Sequence, residues 1–566
     1  MIRRLSEAHD VPPARRGALM VTSARLTTTR VTGFLLGLSL ILGALLAGGS
    51  SARAVESTPA AGAFYAPIVG SGSTWSANAL QAWIRNVWVN YQWKITYTES
   101  GSTQGRNDFR TGVADFGVSE IPYAISNSNE GDLRPQRGFA YMPIVAGGTA
   151  FMYNIQIAGR QVTNLRLSGE NLALIFTGVI TSWNDKRIAA DNPGLAASLP
   201  AIPIVPVVRS DGSGTSAQFT LWMRQQLPSV WNAYCDRVGR PRVADGNCGV
   251  TSNYPVVSGS GFVSRAGANG VASYVAQAQA VGSITFVEYS YALNLGFPVV
   301  KMLNAGGYYT EPTAANVAVA LLSAQINENR DSVDYLTQDL RNVYGSSDPR
   351  VYPLSSYSYI ILPTDVGFNF TAEKGRTLAD FGAYFLCEGQ QSAEDLGYSP
   401  LPINLVAAGQ TQIQRVQGGD PVIKGIAQCN NPTFSTDGTN RLANEAPMPE
   451  QCDRQGSEQC TRGTGGAAGT PTAGSGGGAT GGAGAEGTDN GTVGSGSGGV
   501  TDTDTPLLLA GRPQLVPVRD TSFVSGVAIV LGVLTLLGVA IVPPLITRRR
   551  RRSAVAQKSG ESPWPR

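Results

Sequence analysis

The chain of 566 residues contains one histidine, His9, and that one lies at its extreme N-terminal end. Serine nucleophiles draw their base from histidine more often than from any other side chain, and catalytic metals draw ligands from it. The body of the chain therefore excludes Ser-His hydrolysis and His-based metal chemistry. Cysteine is scarce too. Cys235, Cys248, Cys387, Cys429, Cys452 and Cys460 are the whole set, and no two stand at Cys-x-x-Cys spacing, so no metal site and no cofactor are expected. None of the glycine-rich phrases ends in Gly-Lys-Ser/Thr, which excludes a P-loop. No cysteine follows Leu46-Ala47-Gly48-Gly49-Ser50, which excludes lipid attachment there. Charged residues make up only 15% of the chain, and much of the basic excess behind its net charge of +3 sits in the two termini. A central basic face for nucleic acid is absent from the pattern.

The termini carry their own message. Arginines scattered over residues 1–30, an apolar run from Val31 to Ala47 and the small-residue stretch Ala52-Arg53-Ala54 read as a signal peptide cut after Ala54. An uncleaved signal anchor is the alternative, and Met20 is a second candidate start. Phe523 to Val542 runs without a charge and is followed by Pro543-Pro544 and Arg548 to Arg552. Its length suits the ~30 Å hydrocarbon core, and the arginines place the C-terminus in the cytoplasm. A single-pass membrane protein with its body outside is the expectation. Domains are expected at 1–54 (signal peptide), 55–418 (binding domain), 419–460 (irregular, with cysteines), 461–522 (linker), 523–546 (transmembrane helix) and 547–566 (basic tail). The linker, Gly/Ser/Thr-rich and poor in apolar residues, is expected to be disordered, with a reach of about 45 Å. In an exported chain six cysteines imply disulfides. Fifteen connectivities are open, and neighbour pairs, Cys235 with Cys248, Cys387 with Cys429 and Cys452 with Cys460, are the expected choice.

Between these ends, three apolar runs finish in one kind of phrase: Gly70-Ser-Gly-Ser-Thr74, Ser100-Gly-Ser-Thr103 and Gly212-Ser-Gly-Thr215. Each is predicted to open a helix. The first turn of a helix has N–H donors without intrahelical partners, and the dipole adds positive potential, so three such starts aimed at one point would hold a small oxyanion. Lys94 to Glu99 alternates as a half-buried strand. Ile202 to Val208 reads as a buried strand that its prolines demote toward an edge. Leu80, Trp83, Ile84, Val87 and Tyr91 form a helix stripe, Phe219 and Trp222 a weaker one, and Leu378, Phe381 and Phe385 mark a helix from Glu373 to Cys387. Alternating short apolar runs and helical patterns indicate an α/β protein.

In order along the chain stand Gly70-Ser-Gly-Ser-Thr-Trp75, Ser100-Gly-Ser-Thr103, Asp115-Phe-Gly-Val-Ser-Glu120, Arg209-Ser-Asp-Gly-Ser-Gly-Thr215 and Gly282-Ser-Ile-Thr-Phe-Val-Glu-Tyr-Ser-Tyr291. Together they resemble the phosphate-binding proteins of Pst-type ABC importers, over about Phe64 to Pro402. The resemblance implies a two-lobed type 2 periplasmic-binding-protein fold, with lobe 1 at about 64–150 and 296–418 and lobe 2 at about 151–295. It implies phosphate contacts from Thr74, Trp75, Ser102, Glu120, Arg209, Ser213, Gly214 and Thr215, and an ABC permease as partner. Trp75 stands where relatives usually carry Phe, and Glu120 where they usually carry Asp.

The chemistry of these positions suits the ligand. Phosphate near neutral pH always keeps a proton that a carboxylate at Glu120 can accept, whereas sulfate has none to offer. Arg209 would meet the anion's charge with a two-pronged contact, and the hydroxyls of Thr74, Ser102, Ser213 and Thr215 would donate to it. Six to eight charge-assisted bonds of about 1.5 to 3 kcal/mol each suffice for micromolar binding, which needs about 8 kcal/mol net. Asp115 is read as structural, Asp211 as the cap of the third helix, and Tyr289, Tyr291 and Trp83 as core. The alternatives are another oxyanion or a phosphorylated ligand, or a surface sensing or adhesion protein on the same fold. An enzyme is not expected.

Overall fold

The protein is described here by a computed structural model covering residues 65–472, apart from 422–424, 426–427, 430, 434–438 and 471. The expected signal peptide, most of the linker, the transmembrane segment and the basic tail lie outside the described residues. Among the described residues no helix is long and apolar enough to cross a membrane.

The first third builds from strands and helices in alternation. Strand β1 (Ile68–Gly72) leads into α1 (Ala77–Tyr91), β2 (Ile95–Thr98) into α2 (Ser102–Thr111), and β3 (Phe116–Ser119) follows. Leu80, Trp83, Ile84 and Val87 bury the stripe of α1 as their spacing predicts, while Tyr91, at the helix's last turn, is 46% exposed and leaves the core. β2 alternates as expected, with Ile95 and Tyr97 inward. β4 (Phe139–Tyr153) is the long strand of the molecule, 15 residues, all but the first buried.

The middle of the chain repeats the plan with β5 (Val205–Arg209), α3 (Gly214–Gln226), β6 (Val263–Arg265), α4 (Gly267–Val275), β7 (Ser283–Glu288) and α5 (Tyr289–Leu295). Later come β8 (Ser355–Pro363), α6 (Ala372–Leu386) and α7 (Ile403–Ile413). The eight strands form one sheet in the order β2-β1-β3-β8-β4-β7-β5-β6. Strands β1, β2 and β3 pair in parallel, as do β5, β6 and β7. β8 and β4 join the two sets with antiparallel pairings. β4 pairs with β8 from Phe139 to Gly148 and then with β7 from Thr149 to Tyr153, so one strand serves both halves.

Three further expectations change. β5 is not an edge strand, since β7 and β6 flank it. Its proline is tolerated because pairing with β6 starts only at Val207, so the missing N–H of Pro206 leaves no ladder bond unmade on that side. The expected start of the linker at 461 is too early. Thr464 is buried, its N–H donates to the Thr163 carbonyl at 3.0 Å, and the N–H of Gly466 donates to Phe297 O at 3.0 Å. Lys301 and Met302 also pair in parallel with Arg166 and Leu167, so the lobe boundary expected at 296 moves later and the chain just past it still packs with its middle portion.

The helix expected from Glu373 is present as α6, capped by Thr371, with Leu378, Phe381 and Phe385 buried. Gly375 is required there, because a Cβ would lie 1.8 Å from the Gln417 carbonyl oxygen. Trp83 is core as expected, stacked on Phe385 at 5.4 Å and donating its indole N–H to Gly389 O at 2.8 Å. The disulfides join neighbours: Cys235–Cys248, Cys387–Cys429 and Cys452–Cys460.

Candidate functional site

Two of the glycine phrases meet at helix starts. In α2 the cap position is Gly101, whose φ of +90° suits glycine and where a Cβ would sit 2.6 Å from a carboxylate oxygen of Asp211. In α3 the cap is Ser213, its Oγ accepting from the Ser216 N–H at 3.2 Å. The expected cap, Asp211, has a different task. The Thr103 N–H donates to the Gly212 carbonyl at 3.0 Å, and the Gly214 N–H donates to Ser102 Oγ at 3.0 Å. The first turns of α2 and α3 are thus stitched directly to each other.

The first phrase closes over the same place. Ser73 N–H donates to Val118 O and Gly101 N–H to Gly72 O, which pins residues 72–73 between β3 and α2. Thr74 Oγ1 accepts from the Ala268 N–H at 3.0 Å, so its own proton is left to donate elsewhere. Trp75 departs from expectation: its backbone N–H donates to Ser73 Oγ at 2.9 Å, and its ring is buried against Tyr398. Three tyrosines hold the successive carbonyls of this loop. Tyr97 donates to Ser73 O at 2.6 Å, Tyr291 to Thr74 O at 2.5 Å and Tyr398 to Trp75 O at 2.7 Å. Each of these three carbonyls therefore has a buried side-chain donor.

Glu120 follows β3 and is 1% exposed. Its Oε2 accepts from Ser102 Oγ at 2.8 Å, its Oε1 from Ser358 Oγ at 2.6 Å, and its backbone carbonyl from the Gln218 amide at 2.7 Å. A Cβ on Gly214 would lie 2.1 Å from Glu120 Oε2, so the carboxylate lies directly against the start of α3. Arg209, at the end of β5, is 4% exposed. Its two-pronged face is turned on Asp211, with Nε to Oδ1 at 2.8 Å and Nη2 to Oδ2 in close contact. Asp211 thus takes the Nε/Nη2 edge of the guanidinium and leaves three of its five N–H donors, two on Nη1 and one on Nη2, for other partners. Burial pushes the Asp211 carboxyl up, but the hydrogen bond and charge of Arg209 and the Gly267 N–H outweigh it and hold the group below its usual value. That Gly267 N–H, 2.9 Å away, opens α4, so Asp211 ties Arg209 to a further helix start.

All eight residues singled out from the sequence, Thr74, Trp75, Ser102, Glu120, Arg209, Ser213, Gly214 and Thr215, are buried. Direct bonds link Glu120, Ser102 and Gly214, and Asp211 and α4 link Arg209 to Thr74. Asp115 is structural as read: it accepts from the Val69 N–H and pairs with Lys374. Sequence reasoning missed Ser358 and the hydroxyls of Tyr97, Tyr291 and Tyr398. Tyr291 was assigned to the core, which its burial matches, but its hydroxyl serves the site loop. For Ser358 the signal was its hydroxyl inside the otherwise apolar Tyr357–Pro363 run of β8. A cavity of about 620 Å³ adjoins Glu120, lined by Tyr123, Arg134, Gln218, Arg224 and Tyr359 among others.

Comparison with known proteins identifies the family. The profile of the PBP superfamily domain matches residues 51–388. The phosphate-binding protein PstS of Xylella fastidiosa is 31% identical over 339 residues, 60% of this chain and 82% of that protein. PstS of Methanocaldococcus jannaschii is 28% identical over 355 residues, 61% of this chain and 85% of that protein. A solved phosphate-binding protein from Stenotrophomonas maltophilia aligns at 16% identity over 61% of this chain and 93% of its own, with a TM-score of 0.44. The sheet that one long strand carries from half to half, the buried cluster at its helix starts and the profile match lead to one assignment: this chain belongs to the PBP superfamily and is PstS-like.

Proposed function

We propose that the protein captures inorganic phosphate outside the cytoplasm and delivers it to an ABC permease. The observation that carries this reading is the Glu120 carboxylate, buried between two serine hydroxyls and set against the N-terminus of α3. In such a place a carboxylate accepts the hydrogen bond of a protonated anion, while the helix-start N–H groups, Thr74, Ser213, Thr215 and Arg209 meet its charge. A fully ionised anion of the same shape brings no proton to Glu120. Loss of that one matched contact costs a factor of up to about 10⁴.

The two sets of parallel strands form the two lobes, β4 and β8 are the connections between them, and the second lobe extends past 296 to include the residues that pair with Arg166 and Leu167. Anchoring by the Phe523–Val542 segment, with the arginine tail in the cytoplasm, keeps the binding domain near the permease. Binding without turnover accords with the PstS names of the relatives. A phosphorylated small molecule is a second reading, favoured by the cavity beside Glu120.

Isothermal titration of the full-length protein in detergent tests the proposal. Tight binding of phosphate with little heat from sulfate is expected, and no binding of phosphate ends the reading. A thermal-shift panel of oxyanions and phosphorylated small molecules separates the second reading, because a preferred ligand raises the melting temperature most.

A further inference from the structure

We infer that Ser358, on β8, is a specificity-determining partner of Glu120: it fixes the longer carboxylate so that phosphate's proton still meets an oxygen at the right place. The inference rests on the phosphate reading above and deepens it.

Glu120 is one methylene longer than the aspartate expected from the resemblance. Left to itself, the extra carbon advances the carboxylate by about 1.5 Å, a bond length, and adds a rotatable bond. In a site that discriminates by a single hydrogen bond, such an error of placement is costly. The structure shows what restrains it. Ser358 Oγ donates to Oε1 at 2.6 Å, and both residues are essentially buried, Ser358 at 0% and Glu120 at 1% exposure. Oε2 remains on the side of Ser102 and Gly214, where the helix starts converge.

The placement of Ser358 is irregular in a way that suits this task. Between Tyr357 and Tyr359 the register of β8 against β4 slips: Tyr357 pairs with Ala146 and Tyr359 with Pro143. Two steps on β8 thus answer three on β4, and Ser358 stands opposite the bulge. Bulges cluster beside functional sites because they change the direction of a side chain without ending the sheet. On the other flank Tyr359 pairs with Ser119, the residue before Glu120, so backbone register brings Ser358 beside the carboxylate. The contact spans 238 positions of sequence. An aspartate at 120 would fall short of Ser358 by the missing methylene, so the serine and the longer acid work as a pair.

A double-mutant cycle on the full-length protein tests this, with phosphate and sulfate titrated into wild type, Ser358→Ala, Glu120→Asp and the double variant. Ser358→Ala is expected to weaken phosphate binding about tenfold, the worth of one hydrogen bond to a charged group. Sulfate binding should change far less, so the phosphate-to-sulfate ratio narrows, which a merely structural serine would not cause. In the Glu120→Asp background, Ser358→Ala should cost less than about twofold, because the bond is already lost. Equal losses in both backgrounds, or an unchanged ratio in the single variant, overturn the inference. Should the alanine variant not fold, Ser358→Cys keeps the volume with a weaker donor, and the same narrowing is expected. Wild type that fails to bind phosphate overturns the function itself, a distinct result from a serine that proves idle.

Discussion

The Tyr291 hydroxyl donates to the backbone carbonyl of Thr74 across 2.5 Å, joining residues 217 positions apart. Both are buried, so the carbonyl has no water to fall back on. Tyr291→Phe leaves it unsatisfied, a cost of about 1 to 3 kcal/mol. Part of that cost appears as lost order in the loop that presents Thr74. We expect a 5- to 10-fold loss of phosphate affinity by titration, about 1 to 1.4 kcal/mol, with a lower melting temperature. A stability loss with unchanged affinity would show that the hydroxyl serves folding alone.

Gly214 is the second point of sensitivity. A methyl group there would lie 2.1 Å from Glu120 Oε2 and 2.7 Å from Ser102 Oγ, both held by their own hydrogen bonds. Gly214→Ala must push the carboxylate aside. Alanine also favours the helix, so the fold should persist. Phosphate affinity is expected to drop by about 100-fold or more, near 3 kcal/mol, with a circular dichroism spectrum like that of wild type. Retained affinity would mean the anion does not approach α3 at this turn.

Asp211 gives a prediction in pH. Its carboxyl is held below the usual value: burial opposes this, but Arg209 and the Gly267 N–H prevail. A depressed folded-state value means the stabilisation is complete above the unfolded value of 3.8 and is lost as pH falls through the folded one. Asp211→Asn should therefore melt below wild type at pH 7, and the gap should close in titrations taken well below pH 4. A gap that persists at the lowest pH would assign the effect to packing.

Glu288 has the opposite sign. It is fully buried at the end of β7, its Oε2 accepting from Ser290, and Oε1 has no hydrogen-bond partner among the described residues. Burial raises its carboxyl well above 4.5, and the hydrogen bonds from Ser290 offset this only in part. Its favourable contribution is complete below the unfolded value and is lost as pH rises toward the folded one. Glu288→Gln, an uncharged match for the protonated acid, should raise the melting temperature at pH 7 by about 2 to 4 °C for each kcal/mol relieved. The two proteins should converge near pH 4. A glutamine variant that is less stable at pH 7 would contradict the assignment of a neutral acid.

Much of the fold was legible in the linear pattern, since it depends on local periodicity. The stripe of α1, the alternation of β2 and the helix at Glu373 all follow from which faces must leave water. Pro206 misled because proline rules treat a strand as uniform, whereas here a neighbour starts one residue later. Tyr91 misled because periodicity does not reveal where a helix outruns its core. The glycine-serine phrases were legible because a tight turn into a helix start needs glycine and hydroxyls close together in the chain, whereas Glu120 and Arg209 were reached only through the family resemblance.

Side-chain partnerships were not legible. That Asp211 would hold Arg209, that Ser213 rather than Asp211 would cap α3, and that Ser358 would hold Glu120 depended on which strands became neighbours. The amino-acid sequence by itself determined the elements, the glycine-serine turns and the residue types able to hold an oxyanion, because these follow from interactions among residues near in the chain. Only the tertiary structure decided which donors face Glu120 and which Arg209 protons remain for a ligand. Such contacts join segments up to 238 positions apart, and chain folding alone brings them within hydrogen-bond reach.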